Sequence, residues 1–300
     1  MDNLKSILVV IERGDETRLV LAKTRVLARH FGARLELFLC DAERAYMMRH
    51  SYDSRGTEAA RSACVTDGRR YLETLRRTAV AEDLQIAVDA VCESPLYEGV
   101  LNKVLQSGPD LVVLSAELGN GGTGQGLSAS AWQVIRTCPV PVMLIRGVPW
   151  HAEPHFASAV DMSDEETPGL ARAILLMSEH LATGCKGRLE VLYSQRPGTN
   201  VGERQRTLLH NLAREFRVPD DQVHVLEGEP AANLSEFAAD RGYDVLVLGA
   251  LTHRETLAAL VGTLTTKLVD SLRCDFILVK PGSYAAPVAN TGGHLGAQRR

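Results

Sequence analysis

The residues of this sequence best suited to chemistry are those that could hold a phosphate group. The apolar run DVLVLG ends at Gly249, and after a twelve-residue connection Gly262 and Thr263 precede the amphipathic stretch TLTTKLVDSLR. The first turn of a helix exposes unpaired backbone N–H groups and a partial positive charge, so an anion can bind there. Gly262 would let a phosphate approach the backbone, Thr263 would offer its hydroxyl group, and Gly249 would leave room for a sugar.

A carboxylate on the same edge of the sheet could bind the rest of such a ligand. Asp161 closes the first strand-like run of the second half of the chain, FASAVD. Open α/β sheets bind ligands at the carboxyl ends of their strands, so we expect Asp161 to contact a base or ribose. An Asp at this position can equally cap a helix, and its significance depends on sharing an edge with Gly249 and Gly262.

The elements that must position these residues follow a β/α alternation. Apolar runs rich in Val, Ile and Leu are typical of strands buried on both faces, and amphipathic stretches separate them. This pattern predicts a parallel sheet covered by helices in each half. The predicted strands are Ser6–Ile11, Leu35–Cys40, Gln85–Cys92, Leu111–Ser115 and Val140–Ile145, then Phe156–Asp161, Arg188–Tyr193, Gln222–Leu226, Asp244–Gly249 and Cys274–Lys280.

The two halves also repeat at a fixed distance. Asp110 and Asp244, Ser128 and Gly262, and Arg146 and Lys280 are each separated by 134 positions. Upstream the offset grows, so the first half carries extra residues, which we place at 44–65 and interpret as a lid or an extended helix start. We therefore predict domain 1 (1–147), a linker (148–155) and domain 2 (156–282), followed by a polar, Gly/Pro-rich tail (283–300) expected to be disordered.

Composition narrows the classes of partner. The 33 Lys and Arg against 37 Asp and Glu give a net charge of −4, and the basic residues are interleaved with acidic ones. This distribution argues against nucleic acid and against an acidic membrane surface. No run of 18 apolar residues or secretory signal is present, and the six cysteines form no zinc spacing, so we expect reduced core thiols and a cytoplasmic location.

These motifs resemble the universal stress protein family. Its nucleotide-binding members carry Gly, two residues, Gly, nine residues, then Gly with Ser or Thr, and here Gly249, Thr252, Gly262 and Thr263 keep that spacing. The stretches GEPAANLSEFAADRGYDVLVLG and RCDFILVKP are similar to family segments, as are VLQSGPDLVVL and VIRTCPVPVMLIRG in domain 1. Two such domains resemble the family's tandem E type.

The resemblance implies two doubly wound five-stranded parallel-sheet domains packed as an intrachain pseudo-dimer, a role in the stress response, and ATP, with Mg²⁺, as the ligand of domain 2. Asp161 would contact the base or ribose, Gly249 and Thr252 the sugar and phosphates, and Gly262 with Thr263 the phosphates. Thr252 departs from the pattern by placing a side chain where the family has Gly. Domain 1 departs further, with Glu12 for the strand-end Asp and Ser115, Leu118, Ser128 and Ala129 in the motif.

Catalysis finds little support, because the sequence contains no HExxH and no GxSxG. We therefore expect a nucleotide-binding protein that is not an enzyme. Two alternatives remain open: a nucleotide-independent interaction or small-ligand module with its cavity in domain 1, and a weak ATP hydrolase. The bare apolar edges VPVMLIR and CDFILVK predict that the two domains cover each other, and a homodimer of whole chains remains open as well.

Overall fold

The described chain forms one continuous ten-stranded sheet in the computed structural model, which describes residues 4–14, 17–49, 54–79, 84–116, 127–162, 169–195, 203–250 and 263–281. In domain 1 the strands are β1 (Ser6–Val10), β2 (Arg34–Cys40), β3 (Ile86–Val91), β4 (Leu111–Ser115) and β5 (Val142–Ile145). In domain 2 they are β6 (His155–Ala159), β7 (Arg188–Gln195), β8 (Val223–Glu227), β9 (Val245–Gly249) and β10 (Asp275–Val279). The predicted strands are thus confirmed to within two residues at every end.

Nine helices cover the two faces of the sheet in the described ranges. Those of domain 1 are α1 (Thr17–Phe31), α2 (Ala42–Arg49), α3 (Ser54–Ala79), α4 (Leu96–Ser107) and α5 (Ala129–Thr137). Those of domain 2 are α6 (Leu170–Gly184), α7 (Glu203–Glu215), α8 (Pro230–Arg241) and α9 (Thr263–Ser271). The helices and the sheet bury two apolar layers, one on each face of the sheet, and each layer contains residues from both domains.

The strand order is β3-β2-β1-β4-β5-β10-β9-β6-β7-β8. Neighbouring strands are parallel within each domain, whereas β5 and β10 are antiparallel. Met143 faces Ile277 in that pair, and these two residues are 134 positions apart, so they mark the pseudo-two-fold axis between the domains. The predicted mutual cover of the two apolar edges is confirmed.

Polar contacts reinforce this junction. Lys280 Nζ donates to the Arg136 carbonyl oxygen at 2.9 Å, at the C-terminal end of α5. Arg146, its counterpart in the repeat, donates to the Val269 carbonyl oxygen near the end of α9. A third contact has no symmetric counterpart in the part of the chain that the structure describes: Lys23 Nζ of α1 lies 2.7 Å from Asp275 Oδ2 of β10, and both side chains are buried. The linker is held to the same carboxylate by Trp150 Nε1 at 2.7 Å.

The region that carries the extra residues of domain 1 is helical where the structure describes it. Positions 44–49 belong to α2 and positions 54–65 to α3, as expected for an extended helix start, while 50–53 lie outside the described residues. Tyr46 and Met47 are 56% and 69% exposed, and Ala45 is the residue of α2 that is buried. The tail 283–300 also lies outside the described residues, so its expected disorder stays a prediction.

Candidate functional site

The topology of domain 2 creates a crevice between β6 and β9. The chain runs from β6 to β7 and β8 on one side, whereas β9 and β10 lie on the other, so the strand order reverses at this point. Ala159 of β6 pairs with Leu248 of β9, which brings the carboxyl ends of both strands together. Asp161 follows β6 and Gly249 ends β9, so the structure places these two predicted residues at one switch point, where open α/β sheets bind ligands.

Helix α9 begins at this same edge. Its first residue is Thr263, and Thr265 Oγ1 in its first turn donates to the Gly249 carbonyl oxygen at 3.1 Å. Thr265 is fully buried, so this bond fixes the N-terminus of α9 beside the end of β9. Backbone N–H groups and a partial positive charge therefore stand next to Asp161 and Gly249. Thr252 and Gly262 lie outside the described residues.

Gly249 has a packing role that the sequence did not indicate. A Cβ at this position would lie 2.7 Å from Leu170 Cδ2, at the start of α6. The missing side chain therefore lets α6 approach the end of β9. Its contribution to the binding of a sugar stays a prediction.

Asp161 lies close to a buried tyrosine of the neighbouring strand. Burial raises the pKa of Tyr193, and the negative charge of Asp161 raises that pKa further. The Tyr193 hydroxyl group therefore remains protonated at neutral pH. It offers a neutral hydrogen-bond donor beside the Asp161 carboxylate, which is a suitable pair for the hydroxyl groups of a sugar.

Two further polar groups on this edge were missed by the sequence analysis. Ser194 Oγ near the end of β7 and Asn233 Nδ2 in the first turn of α8 are buried and have no hydrogen-bond partner among the described residues. Asn233 reaches its position because Gly228, with φ of 137°, has no Cβ: one would lie 2.5 Å from Asn233 Nδ2. Buried polar atoms without partners are costly, so their place on the carboxyl-end edge of the sheet makes both residues candidates for ligand contacts. Neither residue carried a signal of this role in the sequence.

The equivalent edge of domain 1 is built differently. Ser128, the counterpart of Gly262, caps α5 with its own side chain, because Ser128 Oγ accepts a hydrogen bond from Ala131 N at 3.0 Å. The Ala131 N–H group is thus already hydrogen-bonded, and it is one of the donors that a phosphate would need. Nearby, Asp67 Oδ2 accepts from Arg13 at 2.8 Å and from Arg44 at 3.0 Å, so two guanidinium groups of this edge already have a carboxylate partner.

Domain 1 instead has a shallow cavity on α2 that is wide open to solvent. Its volume is about 510 Å³, and it is lined by Glu43, Arg44, Met47 and Met48. Arg44, Met47 and Met48 belong to the segment 44–65, which the sequence predicted to be a lid or an extended helix start. Two methionines, one glutamate and one arginine make a mixed, mainly apolar lining.

Across the described ranges, no three His, Cys, Asp or Glu side chains converge as a metal-binding group. The described helices include none with the length and apolar character needed to cross a membrane.

Fold and site together define a tandem doubly wound α/β protein with one switch-point crevice in each half. The sequence profile of the universal stress protein family matches residues 3–146 and 155–280, and the chain belongs to that family. It is similar to Universal stress protein E of Escherichia coli K12, with 22% identity over 304 residues covering 95% of this chain and 96% of the relative.

Solved structures show the same fold. The chain is similar to a universal stress protein from Archaeoglobus fulgidus, with a TM-score of 0.70, 11% identity and coverage of 94% of this chain and 98% of that one. It is also similar to a functionally unknown protein from Pseudomonas aeruginosa, with a TM-score of 0.72, 21% identity and 93% coverage of both chains. The predicted family, tandem type and fold class are confirmed.

Proposed function

We propose that domain 2 binds an adenine nucleotide, ATP with Mg²⁺, and that domain 1 does not bind one in the same way. The observation that carries this proposal is the convergence of Asp161, the end of β9 and the N-terminus of α9 at one switch point. The α9 N–H groups would bind phosphate oxygens, while Asp161, Tyr193 and Ser194 would contact the sugar. The Asp161 carboxylate and the Thr263 hydroxyl are oxygen ligands of the kind that Mg²⁺ takes.

In this function the chain is a cytoplasmic binding protein rather than an enzyme. Hydrolysis would need a group that activates water beside the terminal phosphate, and we assign that role to no residue. The stress role then follows from family membership, with the nucleotide as a signal that domain 2 detects.

A thermal melt tests the proposal. Mg-ATP at a hundred times its Kd should stabilise the wild-type chain by about 2.7 kcal/mol, which raises Tm by roughly 5 °C. Gly262→Asp places a carboxylate against the phosphates and should abolish the shift. Ser128→Asp makes the same charge change at the equivalent position of domain 1 and should leave the shift intact. A wild-type Tm that Mg-ATP does not move, or equal losses in both variants, would refute the assignment to domain 2.

The cavity of domain 1 favours a second candidate function, the binding of a small ligand without nucleotide. It lies on α2, and the Ser128 cap at the start of α5 argues against a phosphate in domain 1. We expect native mass spectrometry of the purified chain to show a retained small molecule that Met47→Glu releases, because a charge in an apolar lining disfavours an apolar ligand. Leu105→Glu, at an exposed position of α4, is the matched control. The absence of any retained molecule would count against this candidate.

A further inference from the structure

Two buried cysteines of domain 1 face each other where helix α3 lies on the edge strand β3. Cys64 of α3 and Cys92, just after β3, form a small buried cluster with Ala45 of α2, and all three residues are at most 3% exposed. Each cysteine is a free thiol. The proposed nucleotide site, which lies in domain 2, uses neither of them.

The geometry of the helix on the sheet explains why these two residues meet. A Cβ at Gly68 of α3 would lie 2.9 Å from the Ala90 Cβ of β3, so helix and strand are in very close contact there. Because α3 is the crossover between the parallel strands β2 and β3, it runs antiparallel to them. One turn back along the helix, about 6 Å, leads to Cys64, and two residues forward along the strand, about 6.6 Å, lead to Cys92.

Cys64 lies on the face of α3 that contacts the strand, and Cys92 lies on the face of the strand that contacts α3. Residues i and i+4 share a helix face, and residues i and i+2 share a strand face, so Cys64 and Cys92 continue the contact of Gly68 with Ala90. A disulfide needs Cβ atoms about 3.5–4.5 Å apart, a range this close helix–sheet contact can meet. We propose that Cys64 and Cys92 are a redox modification site, which a hydroperoxide converts into an intrachain disulfide.

The chemistry needs a peroxide and no other reactant. The sulfur of one cysteine attacks the O–O bond of the hydroperoxide and becomes a sulfenic acid, with loss of water or an alcohol. The second thiol then attacks the sulfenic sulfur, the S–S bond forms and the hydroxyl group leaves as water. The two thiols lose two electrons and two protons, and the peroxide is reduced.

Helix α2 controls access to the pair. Burial raises the pKa of the Cys64 thiol to about 12, and a hydrogen bond with Cys92 adds to that rise, so the unreactive protonated thiol dominates while the site is closed. Ala45 covers the pair, and Met48, which lines the cavity on α2, packs against it. Since α2 buries so little of its own surface, local opening of this helix gives the peroxide access.

Peptide mapping after peroxide treatment tests the site. The full chain, reduced and then treated with hydrogen peroxide, should yield tryptic peptides 62–69 and 78–103 joined, with two hydrogen atoms fewer than their sum. Dithiothreitol should separate them, and Tm of the oxidised chain should rise by several degrees because a crosslink restricts the unfolded chain. Cys92→Ala and Cys64→Ala should each abolish both effects.

Cys40 provides the matched control, because it is a buried thiol of the same region whose Sγ donates to the Glu93 carbonyl oxygen. Cys40→Ala should keep the 64–92 crosslink. Failure to form a disulfide, or a crosslink through peptide 35–44, which contains Cys40, would overturn the proposal. Ala45→Glu should displace α2 and speed disulfide formation at least about tenfold; an unchanged rate would overturn the role of α2 as a cover.

Discussion

Replacement of Asp275 by alanine is expected to lower the free energy of unfolding by about 3–5 kcal/mol, because it leaves a buried ammonium group without its counter-ion. Lys23 Nζ lies 2.8 and 2.7 Å from the two carboxylate oxygens of Asp275. The same carboxylate accepts from the Arg146 backbone N–H and from Trp150 Nε1, each at 2.7 Å. One substitution thus loosens α1, the end of β5 and the linker together.

Urea unfolding of three variants measures this effect. Asp220→Ala removes an exposed carboxylate that pairs with Arg214 and should leave the midpoint near that of the wild type. The double variant Lys23→Met, Asp275→Ala should lose less unfolding free energy than Asp275→Ala alone, because it leaves no unpaired charge buried. If Asp275→Ala behaves like the Asp220 control, the buried pair does not stabilise the domain junction.

The second large effect is expected at Glu190, at the opposite end of the domain 2 sheet from the nucleotide crevice. Its buried carboxylate accepts from His155 Nε2 at 3.1 Å, His224 Nε2 at 2.8 Å and Tyr243 OH at 2.5 Å, and it also contacts Arg241. Glu190→Ala should cost about 3–5 kcal/mol, since these donors lose a shared acceptor inside the protein. Chemical denaturation at pH 7 measures the loss.

Glu36 is the matched control, since it occupies the equivalent third position of β2. It pairs with Lys103, which keeps a second carboxylate partner in Asp89 at 3.0 Å. Glu36→Ala should therefore cost clearly less than Glu190→Ala. Equal losses would show that the number of hydrogen-bond donors around Glu190 does not determine how much Glu190 stabilises the fold.

The same cluster predicts a loss of stability in acid. Burial lowers the pKa of His155, and the attraction of Glu190 offsets this only in part. The unfolded chain therefore takes up a proton at His155 more readily than the folded chain, and stability falls as pH drops below about 6.5. Burial raises the pKa of Glu190, but its donors, Tyr243 first among them, outweigh burial and lower it, so a further loss follows below about pH 4.5.

His155→Asn, which cannot titrate, isolates the first of these two steps. The decline of the unfolding free energy between pH 7 and pH 5 should be shallower in this variant than in the wild type. Identical slopes would exclude His155 as the source of the acid sensitivity.

Much of the fold could be predicted from the sequence because the repeated signals are local and periodic. The offset of 134 related Asp110 to Asp244, and the structure gives both the same role. Asp110 Oδ2 accepts from the backbone N–H groups of Lys5 and Ser6, and Asp244 accepts from those of His151 and His155. A carboxylate before the fourth strand thus holds the start of the first strand in each domain.

Other features left no such signal. Lys23 and Asp275 are 252 positions apart, and neither position shows that its partner is buried beside it. Ser194 and Asn233 became candidates for ligand contacts only when the structure showed their polar atoms buried without partners among the described residues. The packing of Leu170 against Gly249 likewise depends on how α6 lies on the sheet, which the pattern of apolar residues does not determine.

The antiparallel pairing of β5 with β10 also affects how the protein responds to dilution. A single-domain relative that covers its edge strand with a second copy must find that copy in solution, so its assembly depends on concentration. Here a connection of nine residues, 146–154, ties the two halves together, and their effective concentration is of millimolar order at any dilution. The halves can also diverge, because a substitution in one is not copied into the other. The Lys23–Asp275 pair, present on one side of the pseudo-two-fold axis, is an asymmetry that a homodimer could not encode.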